Sequence, residues 1–380
     1  MKVGHKLIHA GLSALVCVVS ASAENSSGTQ FVSVPNTVSL THNGASHSLV
    51  IEQTNGDLFV GDVTAKAQFS SSDPAVAEVD AKGIVRAIGN GETTVSATVN
   101  GQAVETKVTV AGVDKPYVPS FRNNVAPLLF KMGCNTGACH GAAAGKNGFK
   151  LSLRGFDFDW DHKVLTRQAN GRRLSLSEPE QSLMLLKATM QMPHGGGERF
   201  DKGSESYRIL LNWIEAGAPP AAASDPVVQS IETMPKSVKL TKNATQQLVV
   251  RANYNDGKYE DVSRWVKYAT TDDSVATVDD NGRITVTGPG AASITAWYAS
   301  KVSAVRVLVP RDKPVAPERF ARAESYNYID ELVARQLKGL QIAPTGIGTD
   351  AEFIRRASLD ATGVLPAPED VETFVFDTDS

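Results

Sequence analysis

An internal repeat constrains the fold of this 380-residue chain more than any other feature of its sequence. Residues 62–110 align without a gap with residues 261–309, an offset of 199 positions (261 minus 62). Each copy alternates apolar and polar residues, as in the segment 94–99, and is interrupted by turn-forming Gly, Asp and Asn. Alternation of this kind is typical of strands with one buried face. We therefore predict two small β-sandwiches, over residues 31–112 and 231–310.

The repeated unit resembles the bacterial Ig-like domain of group 2. The resemblance is carried by the run Ser-Ser-Asp-Pro-Ala-Val-Ala-Glu-Val-Asp that begins at Ser71, and by the related run that begins at Thr271 in the second copy. It implies an Ig-like fold used as a spacer or an adhesion unit on exported bacterial proteins. The expected contacts of these domains are the cell surface or polysaccharide, although a fold of this kind does not specify its ligand.

The N-terminus has the pattern of a secretory signal peptide, which we assign to residues 1–23. Lys2 and Lys6 precede an apolar run, and Ala21-Ser22-Ala23 offers a small-residue cleavage site. No other apolar stretch approaches about 18 residues, so we expect no transmembrane span after cleavage. The expected location is the periplasm or the cell surface. A formal net charge of -3 is too small to indicate a nucleic-acid partner.

Between the two copies lies the run Cys134-Asn135-Thr136-Gly137-Ala138-Cys139-His140. Two thiols followed at once by an imidazole are what covalent haem attachment requires, because each thiol forms a thioether and the histidine ligates the iron. The usual motif has two residues between the cysteines. Here there are four, so the backbone must bulge, and Gly137 can supply the freedom. Loss of Cys17 with the signal leaves Cys134 and Cys139 with no wider disulfide framework.

Two other uses of these cysteines stay open. A short cysteine pair in an exported protein can form a disulfide, and a Cys/Cys/His group could hold zinc together with His162 or His194. We expect His162, which lies beside Asp161, to be a surface residue rather than a ligand.

Residues 116–220 resemble the planctomycete-type cytochrome c-like domain. The resemblance rests on the cysteine motif, the Gly-rich stretch after it and the later run Met192-Pro193-His194-Gly195-Gly196-Gly197. It implies an all-α domain with one covalent haem c, attached through Cys134 and Cys139 and ligated by His140 as the proximal ligand. Met192 lies in a loop 52 residues after His140 (192 minus 140), and we expect it to be the distal ligand. His194 is the alternative.

Beyond the second copy, a linker over residues 311–322 leads to a predicted helical segment over 323–380. The run from Phe353 to Pro366 resembles the start of a domain of unknown function that follows cytochrome-like and Ig-like modules in large planctomycete surface proteins. The hydrophobic pattern is still in progress at Ser380, so we expect an incomplete domain.

The predicted fold is therefore multidomain, with two all-β Ig-like sandwiches flanking an all-α cytochrome c-like domain and a C-terminal helical fragment. The predicted function is single-electron transfer by an exported c-type haem protein, with an unidentified redox partner. The alternative is a structural or adhesion surface protein whose central domain is a disulfide-bonded spacer without haem. No Ser/His/Asp set, carboxylate pair or phosphate loop in the sequence indicates an enzyme.

Overall fold

The computed structural model describes residues 30–321 and 327–377. We refer to residues 30–110 as module 1, to residues 121–217 as the helical domain and to residues 228–309 as module 2. The predicted signal peptide lies outside the described residues. So do residues 322–326, where the predicted linker meets the C-terminal segment.

Module 1 folds into three groups of paired strands, in the orders β1-β4-β5, β2-β10-β9-β6 and β3-β8-β7, and the first group continues through β5 into a seven-stranded sheet that it shares with module 2. Neighbouring strands are antiparallel, except that β2 runs parallel to β10. The strands are β1 (Gln30–Val34), β2 (Thr37–Leu40), β3 (Ser46–Ser48), β4 (Val50–Asn55), β5 (Leu58–Asp62), β6 (Gln68–Ser71), β7 (Ala77–Val79), β8 (Ile84–Ala87), β9 (Gly91–Val99) and β10 (Gln102–Val110).

Module 2 repeats this arrangement, with strand orders β11-β14-β15, β12-β20-β19-β16 and β13-β18-β17. Again one neighbouring pair, β12 with β20, is parallel. Its strands are β11 (Val228–Met234), β12 (Ser237–Lys239), β13 (Thr245–Gln247), β14 (Val249–Tyr254), β15 (Tyr259–Asp261), β16 (Lys267–Thr270), β17 (Ala276–Val278), β18 (Arg283–Val286), β19 (Gly290–Tyr298) and β20 (Lys301–Val309).

The alternating sequence pattern forms the cores of both modules. Val95, Ala97 and Val99 of β9 are buried, whereas the residues between them are partly exposed. The turn before β8 needs a glycine, because Gly83 has a φ of +77° and a Cβ there would lie 2.6 Å from the carbonyl oxygen of Leu49. The equivalent glycine of module 2 has a φ of +78°. The repeat thus preserves both the strand faces and a backbone conformation that L side chains rarely adopt.

The helical domain has short helices joined by long irregular loops. A π-helical turn (Phe121–Val125) leads into α1 (Ala126–Lys131), followed by α2 (Phe158–Thr166), α3 (Leu183–Ala188) and α4 (Glu205–Glu215). An all-α cytochrome fold is not evident, and the described chain is mostly β-sandwich. The reason is local: between α1 and α2, Gly133, Gly145 and Gly148 have positive φ values, which interrupt a right-handed helix.

Helix α4 is an amphipathic helix that closes the helical domain. Ser204 caps it by accepting a hydrogen bond from the Tyr207 N–H at 3.2 Å. Its apolar face buries Leu210, Trp213 and Ile214 completely.

The helical domain shares a hydrophobic core with module 2. Phe121 and Trp213 belong to the same buried cluster as Trp265 and Tyr298 of module 2. The Tyr298 hydroxyl donates to the Asn123 carbonyl at 2.6 Å within this cluster. The helical domain and module 2 therefore pack together through one core, and the helical domain is not a separate unit between two independent sandwiches.

The C-terminal part is helical, as predicted. A capping box joins Thr349 and Glu352 at the start of the helix Asp350–Thr362, and a second joins Asn327 and Asp330 at the start of the helix Tyr328–Leu340. None of the helices in the described ranges has the length and apolarity needed to cross a bilayer. The helices are α5 (Pro317–Ala321), α6 (Tyr328–Leu340), α7 (Asp350–Thr362) and α8 (Pro368–Phe376).

Candidate functional site

The cysteine motif forms a closed loop directly after α1. The Cys134 N–H donates to the Leu129 carbonyl at 2.9 Å, which ties the loop to the helix, and the His140 N–H donates to the Cys134 carbonyl at 2.9 Å. The first cysteine and the histidine are thereby held close together even though five residues separate them. Four residues between the cysteines are thus compatible with a compact attachment loop.

The glycine that this loop requires is not the one expected from the sequence. Gly137 has no neighbour within 4 Å of a Cβ position, so it makes no close approach. A Cβ on Gly141 would instead lie 2.1 Å from the carbonyl oxygen of Asn135, so the residue after His140 must be glycine. Gly133, with a φ of +77°, lets the chain turn out of α1 into Cys134.

The two thiols are free and half-buried in this structure. Burial raises the pKa of the Cys134 thiol to about 12, so this group is a neutral thiol at neutral pH. A neutral buried thiol is a poor metal ligand and a poor nucleophile.

His140 and His194 lie together, although 54 positions separate them in the sequence (194 minus 140). Their ring centroids are 6.4 Å apart and their ring planes differ by 11°. Nδ1 of His140 is 3.1 Å from the Phe149 carbonyl oxygen, and Nδ1 of His194 is 2.8 Å from the Gly197 carbonyl oxygen. A carbonyl can only accept, so Nδ1 carries the proton in each neutral ring and Nε2 keeps its lone pair. Both imidazoles are therefore in the tautomer that binds a metal through Nε2.

His140 is held from a second direction by an aromatic ring. The Phe149 ring centroid lies 4.2 Å from that of His140, and the Arg173 guanidinium lies 4.4 Å from the Phe149 ring centroid. Arg173 is itself fixed by donating to the Val164 carbonyl at 2.8 Å and to the Gln168 carbonyl at 3.1 Å. Burial, more than any other cause, lowers the pKa of His140, which favours the neutral ring.

Asn135, between the cysteines, is fully buried, and neither its side-chain oxygen nor its side-chain nitrogen has a hydrogen-bond partner among the described residues. A buried amide left in this state costs about 1–3 kcal/mol. Cys134 is one of the partly buried apolar residues that pack against the large core of the helical domain and module 2. Others are Met132, Phe149, Leu174 and Met184.

Met192, the expected distal ligand, lies in the loop after α3. Its N–H donates to the Leu186 carbonyl at 3.0 Å and its side chain is 38% exposed. The residue of this loop that makes a ring contact with His140 is His194. The sequence favours Met192, because it lies in a loop before Pro193 and 52 residues after His140, whereas the ring next to His140 in the structure is that of His194.

The described residues contain no ligand set for the alternative of a zinc site. Within the described residues there is no group of three or more His, Cys, Asp or Glu side chains that could hold a metal ion. His162 has another role: its Nε2 is 2.8 Å from the Ala218 carbonyl oxygen, and its ring meets Phe121 and Trp213 edge-on. It is thus a partly buried packing residue, neither a ligand nor a surface histidine.

Comparisons with known families support the domain organisation. Residues 28–110 and 227–308 match the bacterial Ig-like domain (group 2), so the prediction of two such domains is confirmed. Residues 328–380 match a family described as a protein of unknown function (DUF1549). These matches support a multidomain protein with Ig-like surface modules.

Among curated proteins, the chain is similar to ice-binding protein 1 of Shewanella frigidimarina, with 22% identity over 296 residues. The match covers 74% of this chain but spans only 30% of that protein. Among solved structures, domains 5–6 of the S-layer protein SbsC are 12% identical, with 75% of this chain and 100% of that chain covered and a TM-score of 0.30. Human protocadherin-24 EC1-2 (form II) is 9% identical, covering 74% of this chain and 99% of that chain, with a TM-score of 0.17. TM-scores of this size carry no functional implication.

Proposed function

We propose that this chain is an exported surface protein that carries one covalently bound haem c in its helical domain and passes single electrons. Cys134 and Cys139 would hold the haem through thioethers, and His140 and His194 would bind its iron, with His194 in place of Met192. The location is the periplasm or the cell surface, which is where the Ig-like modules and the N-terminal signal pattern would place it.

The observation that carries this proposal is the histidine pair. Two imidazoles that would bind one metal ion through Nε2, with metal–nitrogen bonds of about 2 Å, would have ring centres at most roughly 6 Å apart. The separation of the His140 and His194 rings is 6.4 Å, and each ring is already fixed through its Nδ1 proton. Carbonyl partners on Nδ1 are the usual support of metal-binding histidines.

The donor set also fits the covalent part of the haem. Both thiols are unbridged, and they lie on a loop whose last residue is the proximal histidine. The buried amide of Asn135, which has no partner among the described residues, lies between the two cysteines and fits the polar rim of the haem. When bound, the haem supplies a one-electron iron couple whose potential is set by its ligands.

The protein's own residues orient and tune this site. Phe149 and Gly197 hold the two imidazoles in the metal-binding tautomer through their carbonyls. Arg173 places a positive charge over the Phe149 ring. If His140 and His194 both bound the iron, the haem would supply electron transfer rather than substrate chemistry, at a lower potential than a His/Met pair would give.

The test is to produce the chain in a bacterium with a c-type haem maturation system. Covalent haem should appear by mass spectrometry and by a visible spectrum that survives denaturation, and Cys139→Ser should abolish the two-thioether linkage. His194→Ala should change the spectrum to that of an iron with an open position, whereas Met192→Leu should leave it unchanged. Met190→Leu, a second exposed methionine of the same loop, is the matched control.

Two outcomes would contradict the proposal. Intact protein with two free thiols and no haem, after the same maturation, would end the haem assignment. A spectrum that changes with Met192→Leu and not with His194→Ala would keep the haem and restore Met192 as the distal ligand.

A second candidate is a structural or adhesion protein without haem, and the match of two segments to group 2 Ig-like domains favours it. In this case the helical domain serves only as a packed insert between the modules. The same experiment separates the two candidates, because the structural protein gives no visible absorption and, if its cysteines oxidise, a disulfide between Cys134 and Cys139.

A further inference from the structure

The two Ig-like modules contact each other directly, and they do so through the same residues. The Ser48 N–H of module 1 donates to Oδ2 of Asp261 at 2.7 Å, and the Gln247 N–H of module 2 donates to Oδ2 of Asp62 at 2.9 Å. Donors and acceptors are both related by the repeat, with an offset of 199 (247 minus 48, and 261 minus 62). The two hydrogen bonds are therefore reciprocal.

Each aspartate also accepts a second hydrogen bond, from an N–H group of its own module. Oδ1 of Asp62 accepts from the Thr64 N–H at 2.9 Å, and Oδ1 of Asp261 accepts from the Ser263 N–H at 2.9 Å. One oxygen thus closes the turn at the end of a strand and the other reaches across to the partner module. A contact in which each side offers the same patch is the arrangement of an isologous dimer interface.

We propose that the two Ig-like modules form an internal pseudo-dimer, paired through a self-complementary face centred on Asp62 and Asp261. The partner that this face fits is the other module of the same chain. The inference does not depend on whether the helical domain binds haem.

The side chains around the two aspartates are deeply buried, as an interface requires. His47 is 1% exposed and Gln246, at the equivalent position, is 0% exposed. Each lies against a carboxylate of the opposite module: His47 Nδ1 is 3.7 Å from Asp261, and the Gln246 amide donates to Glu52. The pairing thus keeps the backbone contacts of a symmetric interface, while the side chains at equivalent positions have diverged.

The strands extend the same contact. Phe59 of β5 pairs in parallel with Val238 of β12, which joins a sheet of module 1 to a sheet of module 2. Strand edges with unpaired N–H groups are sites of association, and here the edges of the two modules cover one another. Ser48 and Gln247 are the last residues of β3 and β13, and their N–H groups are satisfied from the opposite module.

Arg264 connects this interface to the helical domain. Its guanidinium donates to the Ser46 hydroxyl of module 1 at 2.6 Å and forms an ion pair with Glu205 of α4 at 2.9 Å. Its carbonyl accepts a hydrogen bond from the Lys131 ammonium at the end of α1. The pairing therefore sets the helical domain, which is inserted between the modules in the sequence, at one fixed position relative to both of them.

The pairing restricts which faces of the modules can make surface contacts. Because the paired face is used within the chain, any ligand or neighbouring molecule must use the other faces of the modules. The helical domain is not a spacer that separates two Ig-like units, since those units touch.

The test is hydrogen–deuterium exchange by mass spectrometry, with small-angle scattering and light scattering, on the full chain. In the wild type, peptides that cover Ser48 and Gln247 should be protected, and the scattering should fit a compact monomer. Asp62→Asn removes one of the two acceptor oxygens of that residue. It should speed exchange about tenfold at Gln247 and also at Ser48, whose own acceptor is unchanged, because the two modules separate together.

Asp80→Asn is the matched control, since the side-chain hydrogen bonds of Asp80 among the described residues stay within its own module, from the N–H groups of Lys82 and Ile84 and from the Arg86 guanidinium. It should leave both amides protected. Rapid exchange at both amides in the folded wild type, or an extended scattering profile, would overturn the proposal even if the variants fail to fold. Faster exchange at Gln247 alone in Asp62→Asn would also overturn it, as would a dimer by light scattering that pairs modules between chains.

Discussion

Glu52→Gln should remove a large pH dependence from the stability of the paired modules. Glu52 lies on β4, is 0% exposed, and receives a hydrogen bond from the Gln246 side chain of module 2. Burial, followed by the negative charge of Asp62, raises the pKa of Glu52 from 4.5 to about 8. The second oxygen of Glu52 and the side-chain oxygen of Gln246 have no partner among the described residues, so a protonated carboxyl supplies a donor where one is lacking.

The sign of the effect follows from proton binding. Between pH 4.5 and about 8 the folded protein holds a proton on Glu52 that the unfolded chain has released. The contribution of Glu52 to the free energy of unfolding is therefore fully present below pH 4.5 and is lost as the pH rises through about 8. At about 1.4 kcal/mol per pKa unit, the loss is on the order of 5 kcal/mol, which is a large part of the stability of an ordinary domain.

The assay is urea denaturation at pH 5 and pH 8.5, followed by the fluorescence of tryptophans such as Trp265 in module 2. The free energy of unfolding of the wild type should fall between these pH values by several kcal/mol more than that of Glu52→Gln, which stays neutral at both. Glu105→Gln, a change at an exposed carboxylate of module 1, is the control and should behave as the wild type does. An equal loss in wild type and Glu52→Gln would refute the reasoning.

Two further variants test the junctions around the helical domain. Tyr298→Phe deletes the buried hydrogen bond to the Asn123 carbonyl and should lower the free energy of unfolding by about 1–3 kcal/mol. The measurement is urea denaturation at pH 7. An unchanged free energy of unfolding would show that this contact does not join the helical domain to module 2. Arg173→Gln removes the positive charge that lies over the Phe149 ring, which itself contacts the His140 ring. In haem-loaded protein this change should lower the midpoint potential measured in a spectroelectrochemical titration. An unchanged or higher potential would contradict a tuning role for Arg173.

Local structure could be predicted from the sequence where neighbouring residues decide it. Alternation along residues 94–99, together with the repeat at an offset of 199 positions, was sufficient to predict the two sandwich modules. The caps Ser204 and Thr349 are equally local features, because a capping hydrogen bond joins residues only three positions apart. The prediction of an all-α domain was not confirmed. Short apolar runs in the sequence do not show how much of the glycine-rich chain between them stays irregular.

The composition of the candidate site was also evident from the sequence, because Cys134, Cys139 and His140 are adjacent. Which of Met192 and His194 lies beside His140 was not evident. The two residues are two positions apart, so their distances from His140 along the chain are almost equal, whereas the loop after α3 brings the His194 ring to 6.4 Å from that of His140.

By itself, then, the sequence determined that this protein contains two copies of one sandwich, with a cysteine motif between them. Only the tertiary structure decided that the copies pair. The donors of that pairing are the backbone N–H groups of Ser48 and Gln247, and a backbone group has the same chemistry at every position of the chain. Its role depends on what the fold places opposite it, here Asp261 and Asp62.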